Sequence, residues 1–388
     1  MLEEQHEKQK VHSLTGRIEY PVMVKAFKAV KKNRGAAGID KVSIKMFEAN
    51  LEDNLMALMR DMKKGVFEPH PLKRVHIPKG DGRFRPLGIP AVRDRVCQEV
   101  VRSLLEPIFE QKFHETSYGS RPGRNCHQAI EKILEYHQQG YNVVFDADIK
   151  GFFDNIPFKV IMNAIASEIA DGNILRLIEK FLRSGVMENG VFKPTTIGTP
   201  QGGVISPLLA NAVLNHLDWT LHEHGYRFSR YADDFVIACK SKKEAKEAKD
   251  LVESTLTEIG LELSQEKTKI TTYGIGYEFL GFKISSRSRR MRTKSVKKFK
   301  DKIRELTIRK RNFDDQVIVK LNQVIRGTAN YFASSFSTCR WMFQKLDSWI
   351  RMRLRCMKKK RKSYHDNMKM RNKLFSQLGL LSLESFCK

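Results

Sequence analysis

Along the first 64 residues, apolar positions recur at helical spacing on either side of a loop, KNRGAAGID. The pattern predicts two helices between about 20 and 64, with the loop's glycines and Asp40 supplying turn and capping chemistry. From Leu72 the period changes from 3.6 to 2: LKRVHIPK alternates, GDG is a hairpin turn, and RFRPLGIP returns as the partner strand. Residues 91 to 113 are again helical, with Val96, Val100, Leu104, Leu105 and Ile108 on one stripe. SYGSRPGRN is a Gly-, Pro- and Arg-containing loop whose Asn125 caps a helix CHQAIEKILEYHQQ.

The strand NVVFDADI follows, and its alternation puts Val144, Asp146 and Asp148 on one face. After TPQGG, Ser206 is expected as N-cap and Pro207 as the first helical residue of a helix running to Gly225. YRFSRY and FVIACK are predicted strands joined by a tight turn at Ala232, Asp233 and Asp234. An amphipathic helix, KKEAKEAKDLVESTLTEI, ends at Gly260, and LELS and YEFLGFKI read as further strands. Beyond about Ser288 the strand signals stop. Three helices are expected at about 294–310, 315–332 and 338–358, the middle one with Val317, Leu321, Val324, Ile325 and Tyr331 at helical spacing. The fold class is therefore α+β, followed by an all-α segment.

Composition sharpens this division. The chain has 388 residues, 41% hydrophobic and 29% charged, enough for two or three domains with their own cores. Its net charge of +26 is unevenly spread: from Ser286 onward there are 29 basic and 7 acidic residues, whereas the first 285 hold 41 and 37. A near-neutral body joined to a basic C-terminal quarter suits a catalytic unit attached to a polyanion-binding one, and nucleic acid is the expected polyanion. The polar start and the lack of a long apolar run exclude a signal peptide and a membrane span from the reading. Six widely separated cysteines without a CxxC pair argue against a zinc ribbon or a disulfide framework, and are expected as reduced, buried thiols.

Three carboxylates carry the candidate chemistry. Asp148 ends one strand and Asp233 and Asp234 sit between two others, so a sheet can bring them to one edge. Hard oxygen ligands suit magnesium, and two such ions activate a 3′-hydroxyl and stabilise the leaving pyrophosphate in an in-line displacement. An Asp-Asp turn alone is more often a solvated turn. Here it occurs in company: IPKGDGRFRPLGIP, SYGSRP, DIKGFFDNI, TPQGGVISPLLAN, YADDFVI and YEFLGFKI stand in this order. Together they resemble the reverse transcriptase of bacterial group II introns, the intron-encoded maturase family, over most of the chain from about Val24.

The resemblance implies a right hand of fingers and palm followed by a helical thumb or maturase domain. It divides the chain into an N-terminal helical extension (1–70), fingers and palm (71–285), and a basic helical domain (286–388). Asp148, Asp233 and Asp234 match the site for two Mg²⁺ ions, with Mn²⁺ as a substitute; the match favours Asp148 over Asp146. Lys79 and Arg85 match the fingers cations that grip the triphosphate of a dNTP. Phe153 matches the aromatic gate beneath the sugar, though Phe152 is its neighbour. Gln201, Gly202 and Gly203 match the element that approaches the template base or incoming nucleotide, and Lys267 matches a lysine able to protonate pyrophosphate, with Lys269 nearby. RGTANYF resembles a thumb motif, with Thr328 where an aromatic is usual.

The implied activity is RNA-directed DNA polymerisation by a protein of the bacterial cytoplasm, with association with the nucleoid as an option, with dNTPs, a DNA primer or target, an RNA template and the intron RNA as partners, and with assistance to splicing. A free-standing reverse transcriptase in repair or phage defence and a non-enzymatic RNA-binding maturase are the alternatives. An RNA-synthesising polymerase is disfavoured by Phe153. No Cys/His cluster resembles the HNH endonuclease of many relatives. In the basic C-terminal part, Tyr331, Phe332, Trp341 and Trp349 are expected mainly as core.

Overall fold

The structure, a computed structural model, describes residues 10–78, 84–199 and 202–387. Lys79 and Gln201 lie outside the described residues. In chain order come α1 (Tyr20–Lys32), α2 (Ile44–Ala49), α3 (Leu51–Lys64), β1 (Leu72–Pro78), β2 (Phe84–Ile89), α4 (Val92–Glu110), α5 (Cys126–Gln138) and β3 (Val143–Asp148). They are followed by α6 (Phe152–Asn155), α7 (Phe158–Ala166), α8 (Gly172–Arg183), β4 (Val186–Glu188), β5 (Val191–Lys193), α9 (Ser206–Glu223), β6 (Arg227–Tyr231), β7 (Asp234–Cys239) and α10 (Lys242–Glu258). The remainder is β8 (Lys269–Thr272), β9 (Tyr277–Phe279), β10 (Phe282–Ile284), β11 (Arg289–Met291), α11 (Thr293–Leu306), α12 (Asp315–Phe332), α13 (Arg340–Lys359), α14 (Asp366–Lys369) and α15 (Asn372–Gln377). The architecture is α+β.

Two compact units are present. One holds the chain through Ala129 together with Phe145–Ile237 and Lys242–Lys269; the other holds Ile130–Val144, Ala238–Ser241 and the chain from Ile270. In the first, β1 and β2 form the expected antiparallel hairpin, with Ile77 opposite Arg85. β4 joins β1 in parallel at Leu72 and Val186, and β5 folds back on β4, giving the order β2-β1-β4-β5. The β4–β5 hairpin escaped the sequence reading, yet its turn is Asn189-Gly190, both at positive φ, a strong local hairpin signal.

The sheet that carries the carboxylates runs β6-β7-β3-β8. Its two inner strands are covered on both faces: Phe235 through Cys239 are fully buried, as are Val144 and Phe145. Each such large side chain contributes about 1.5–3 kcal/mol over leaving it in water. Helix α4 is wrapped almost all round in its first half, where Val92, Val96, Cys97, Val100 and Val101 are buried; Leu104 and Ile108 of the expected stripe are only half-buried.

Several expectations need correction. The segment 20–64 holds three helices, because Asn50 leaves the helical region (φ −124°, ψ 50°) and Asn54 Nδ2 donates to the Phe47 carbonyl across the break. The N-cap before α9 is Ile205, and Ser206 is the first helical residue. LELS makes only a bridge, Leu263 against Ile149, and no strand. A strand, β11, lies beyond Ser288, paired with β10, which in turn pairs with β9. All six cysteines are free, but Cys126 and Cys387 are half-exposed. Asn125 does cap α5: its amide N–H and side chain exchange hydrogen bonds with Gln128, a reciprocal box.

In the second unit the buried stripe of α12 is Ile318, Leu321, Ile325, Ala329 and Phe332, offset from the expected one. The Phe282 ring of β10 meets the rings of Tyr331, Phe332 and Phe336 at 5.8, 4.8 and 5.5 Å. Asp347 of α13 is buried and accepts from the Leu383 and Glu384 amides and the Ser382 hydroxyl. Among the described residues, no helix is long and apolar enough to cross a membrane.

Candidate active site

Strand order decides which carboxylates meet. Because β7 lies beside β3, Asp148 at the end of β3 and Asp233 at the entrance to β7 come within electrostatic reach although 85 positions separate them. Burial pushes the Asp233 carboxyl above the usual carboxylate range. The charge of Asp148 pushes it further, against the Asp233 backbone amide and the cations Arg85 and Lys267. Asp234 follows as the first residue of β7. Among the described residues, no three His, Cys, Asp or Glu side chains are gathered closely enough to hold an ion as they stand. The structure therefore unites Asp148 and Asp233 and does not assemble a three-carboxylate set.

The turn between β6 and β7 is held from behind by residues that the sequence reading missed. Ala232 sits in the left-handed region at φ 58°, where a side chain costs energy. Arg230, fully buried, donates from Nη1 to the Ala232 carbonyl at 2.9 Å and to Asn211 Oδ1 at 3.0 Å. Its Nε meets Asp218 Oδ1 at 2.7 Å and its Nη2 meets the other carboxylate oxygen. The SYGSRP loop packs directly against the turn: Tyr118 donates to the Arg230 carbonyl, and a Cβ on Gly119 would fall 2.3 Å from the Ala232 nitrogen. Only glycine fits there. The available signal was an Arg three residues before the acidic pair and an Asp and Asn on the preceding helix; nothing in their spacing says that they converge.

On the other side of β3, the chain at 262–264 pairs with 148–150, and the Ser264 amide donates to the Asp148 carbonyl. This places Lys267 so that Nζ donates to Asp148 Oδ2 at 2.8 Å, while Lys269 approaches Asp146 at 3.5 Å. The two lysines that the sequence left undecided thus take different carboxylates.

Arg85 is exposed on β2 and acts on Asp233. Gly202, at φ 110°, lies against β2: a Cβ there would sit 2.5 Å from the Gly88 carbonyl. Just beyond it, the Val204 amide donates to the buried Gln98 side chain. Of the adjacent aromatics, Phe152 is buried in the core and Phe153 is half-exposed, with its ring 5.3 Å from Phe152.

The C-terminal aromatics divide differently from expectation. Phe332 is core and Tyr331 donates its hydroxyl to the Leu280 carbonyl. Trp349 is half-buried beneath Lys300 and Arg304, whereas Trp341 is 61% exposed. On α13 the stripe facing inward is Phe343, Leu346, Ile350 and Leu354, which leaves Trp341 outside it.

Comparison with known proteins follows the same division. Residues 77–284 match the family described as reverse transcriptase (RNA-dependent DNA polymerase), and 296–375 match the group II intron, maturase-specific domain. Protein YkfC of Escherichia coli K12 is 33% identical over 312 residues, covering 69% of this chain and 81% of its own. The group II intron-encoded protein LtrA of Lactococcus lactis subsp. cremoris is 30% identical over 388 residues, 74% of this chain; the match spans 65% of LtrA. A solved telomerase from Candida albicans with a fragment of telomeric RNA aligns over 87% of this chain and 66% of its own, at 12% identity and a TM-score of 0.47. With both regions matched in order, and with relatives of this extent, the chain belongs to the group II intron-encoded reverse transcriptase and maturase family.

Proposed function

We propose that the chain is an RNA-directed DNA polymerase that extends a DNA primer on an RNA template and, through its C-terminal unit, binds intron RNA and assists its splicing. Residues 71–285 then act as fingers and palm and 286–388 as the thumb or maturase domain. One observation carries the reading: Asp148 and Asp233 act on each other at one end of the two inner strands of a sheet, inside the region that matches reverse transcriptases. Two carboxylates this close repel, and the cations set against Asp233 are Arg85 and Lys267. Such hard oxygen donors fit a hard divalent ion.

Asp148, Asp233 and Asp234 would hold two Mg²⁺ ions, or Mn²⁺ in their place, which lower the barrier to attack by the primer 3′-oxygen and neutralise the leaving pyrophosphate. The protein's own contribution is positioning. Arg85, together with Lys79, binds the triphosphate; a guanidinium suits bidentate contact with phosphate. Phe153, the half-exposed ring of its pair, occupies the place of a 2′-hydroxyl and so selects dNTPs. Gly202 and Gln201 would approach the nucleotide, and Gly202 itself packs too close to the Gly88 carbonyl to allow a side chain. Lys267, already on Asp148, is positioned to give a proton to pyrophosphate.

Primer extension on an RNA template tests the reading. Asp233→Ala is expected to abolish extension while RNA binding persists, and retained extension would remove the metal assignment. A wild-type chain that binds intron RNA and promotes splicing but never extends a primer would instead support the non-enzymatic maturase, which the match of residues 296–375 favours on its own.

A further inference from the structure

Helix α13 carries a second stripe on the face opposite its apolar one. Trp341, Lys345, Ser348, Met352 and Arg355 follow at intervals of four, three, four and three, so they lie within about 40° of one line along the helix. From Trp341 to Arg355 this line is about 21 Å long at 1.5 Å per residue. At one end stands the exposed indole of Trp341, with the Lys345 ammonium 3.5 Å from its ring centroid. At the other is a cavity of about 500 Å³, lined by Ser348, Arg351, Met352 and Arg355 of α13 with Asn367, Arg371 and Asn372.

The cavity is built, and it is short of negative charge. Arg355 is only 8% exposed; Nε donates to the Met370 carbonyl and Nη2 to Asn372 Oδ1, each at 2.9 Å, and its guanidinium lies over the Phe375 ring. Arg351 Nη2 donates to Ser348 Oγ at 3.1 Å. No carboxylate lines the cavity. Of the two acids nearest in sequence, Asp347 is engaged by Ser382 and the Leu383 and Glu384 amides, and Asp366, paired through Oδ1 with Arg361, lines a neighbouring cavity rather than this one. Burial and the neighbouring Arg351 charge push the Arg355 guanidinium below its usual range. Arg351, Arg355 and the exposed Arg371 line one cavity that, among the described residues, has no carboxylate in its lining, and such a cluster makes a site for an oxyanion.

We propose that this face of α13 is a track for single-stranded RNA, in which Trp341 stacks on a base and the Arg351–Arg355–Arg371 cavity takes a backbone phosphate several nucleotides along the strand. A base and a phosphate at fixed separation on one strand satisfy both ends at once. Stacking gives affinity without sequence preference, and the phosphate contact fixes the register. The proposal rests on the reading that the C-terminal unit handles RNA, and names the part of it that does so.

The test uses the full chain and a short fluorescent oligouridylate, with binding read by anisotropy over a salt series. Trp341→Ala is expected to weaken binding about tenfold. The double variant Arg351→Gln/Arg371→Gln should weaken it and flatten the dependence of log K on log salt by roughly 0.7, the share of one single-strand phosphate. Lys242→Gln/Lys243→Gln on α10 removes the same formal charge and should leave that slope in place. Thermal melts of the surface variants should match wild type. Equal losses in both double variants, or no loss in Trp341→Ala, would overturn the track in favour of a diffuse basic field. Oligothymidylate bound as tightly, with the same losses, would assign the face to DNA and overturn the RNA assignment. A wild-type chain that binds no RNA removes the underlying reading as well; one that binds while the track variants bind equally removes the track alone.

Discussion

Arg230 and Asp218 form an ion pair with both partners fully buried, and the same guanidinium reaches past Asp218 to hold the carbonyl of Ala232 in the turn that presents Asp233. A stability element and a candidate catalytic element therefore share one side chain. Removing one partner of such a pair leaves an uncompensated charge in the core, at a cost of about 3–5 kcal/mol. Asp218→Ala is expected to lower the thermal midpoint accordingly. Replacing both partners with apolar residues, Asp218→Leu/Arg230→Met, should restore much of the stability, because a packed hydrophobic pair is often no worse than a buried ion pair. The Ala232 carbonyl would still lack its donor. Primer extension should stay depressed in this double variant even though it folds, and full activity would show the pair to be scaffolding alone.

Lys267 competes with any cation for Asp148. With its Nζ at 2.8 Å from Oδ2, its ammonium already neutralises the carboxylate that a metal ion would coordinate. Lys267→Gln should bind Mn²⁺ several-fold more tightly, as read by electron paramagnetic resonance on the free protein, and yet extend primers more slowly. Unchanged Mn²⁺ affinity would mean that the ammonium does not stand in the ion's place.

Phe153 is half-exposed where Phe152 is buried, so shortening it should open the core less than Phe152→Ala would. Phe153→Ala is expected to raise incorporation of ribonucleotides relative to deoxynucleotides, with a thermal midpoint near wild type. Single-nucleotide insertion kinetics with matched substrates decide it, and undiminished discrimination would place the gate elsewhere.

Asp94 predicts a pH dependence of stability. It is 1% exposed, accepts a hydrogen bond from the His70 amide, and is pushed up to about 7, chiefly by burial. A carboxyl whose folded pKa exceeds its unfolded value near 4 binds more protons when folded, so stability falls as pH rises between those values and levels off above about 7. The effect is on the order of a few kcal/mol. Asp94→Asn should flatten chemical-denaturation stability between pH 5 and 8, whereas an unaltered slope would exonerate Asp94.

Much of this molecule was legible in its residues. Alternation located β1 and β3, turn signals located β2, β6 and β7 beside them, and apolar spacing located α4, α10 and the C-terminal helices, because these patterns are local: a side chain's face follows from its own backbone geometry. The same locality explains the shortfalls. A three-residue strand such as β11 or β4 has too few positions to show a period. Asn50 breaks a helix through a hydrogen bond made by Asn54, which no propensity records.

For the site, the chain's order of motifs selected Asp148, Asp233, Asp234, Arg85 and Lys267 without saying how they meet. That Asp148 and Asp233 interact depends on β7 pairing beside β3, and that Lys267 goes to Asp148 while Lys269 goes to Asp146 depends on residues 262–264 and β8 lying along the other side of β3. The arginine beneath the turn and the exposure of Trp341 were decided only in three dimensions. Residue type and spacing set what each side chain can do; which partners it finds is set by strand pairing and packing between segments far apart in the chain, a property that no local pattern encodes.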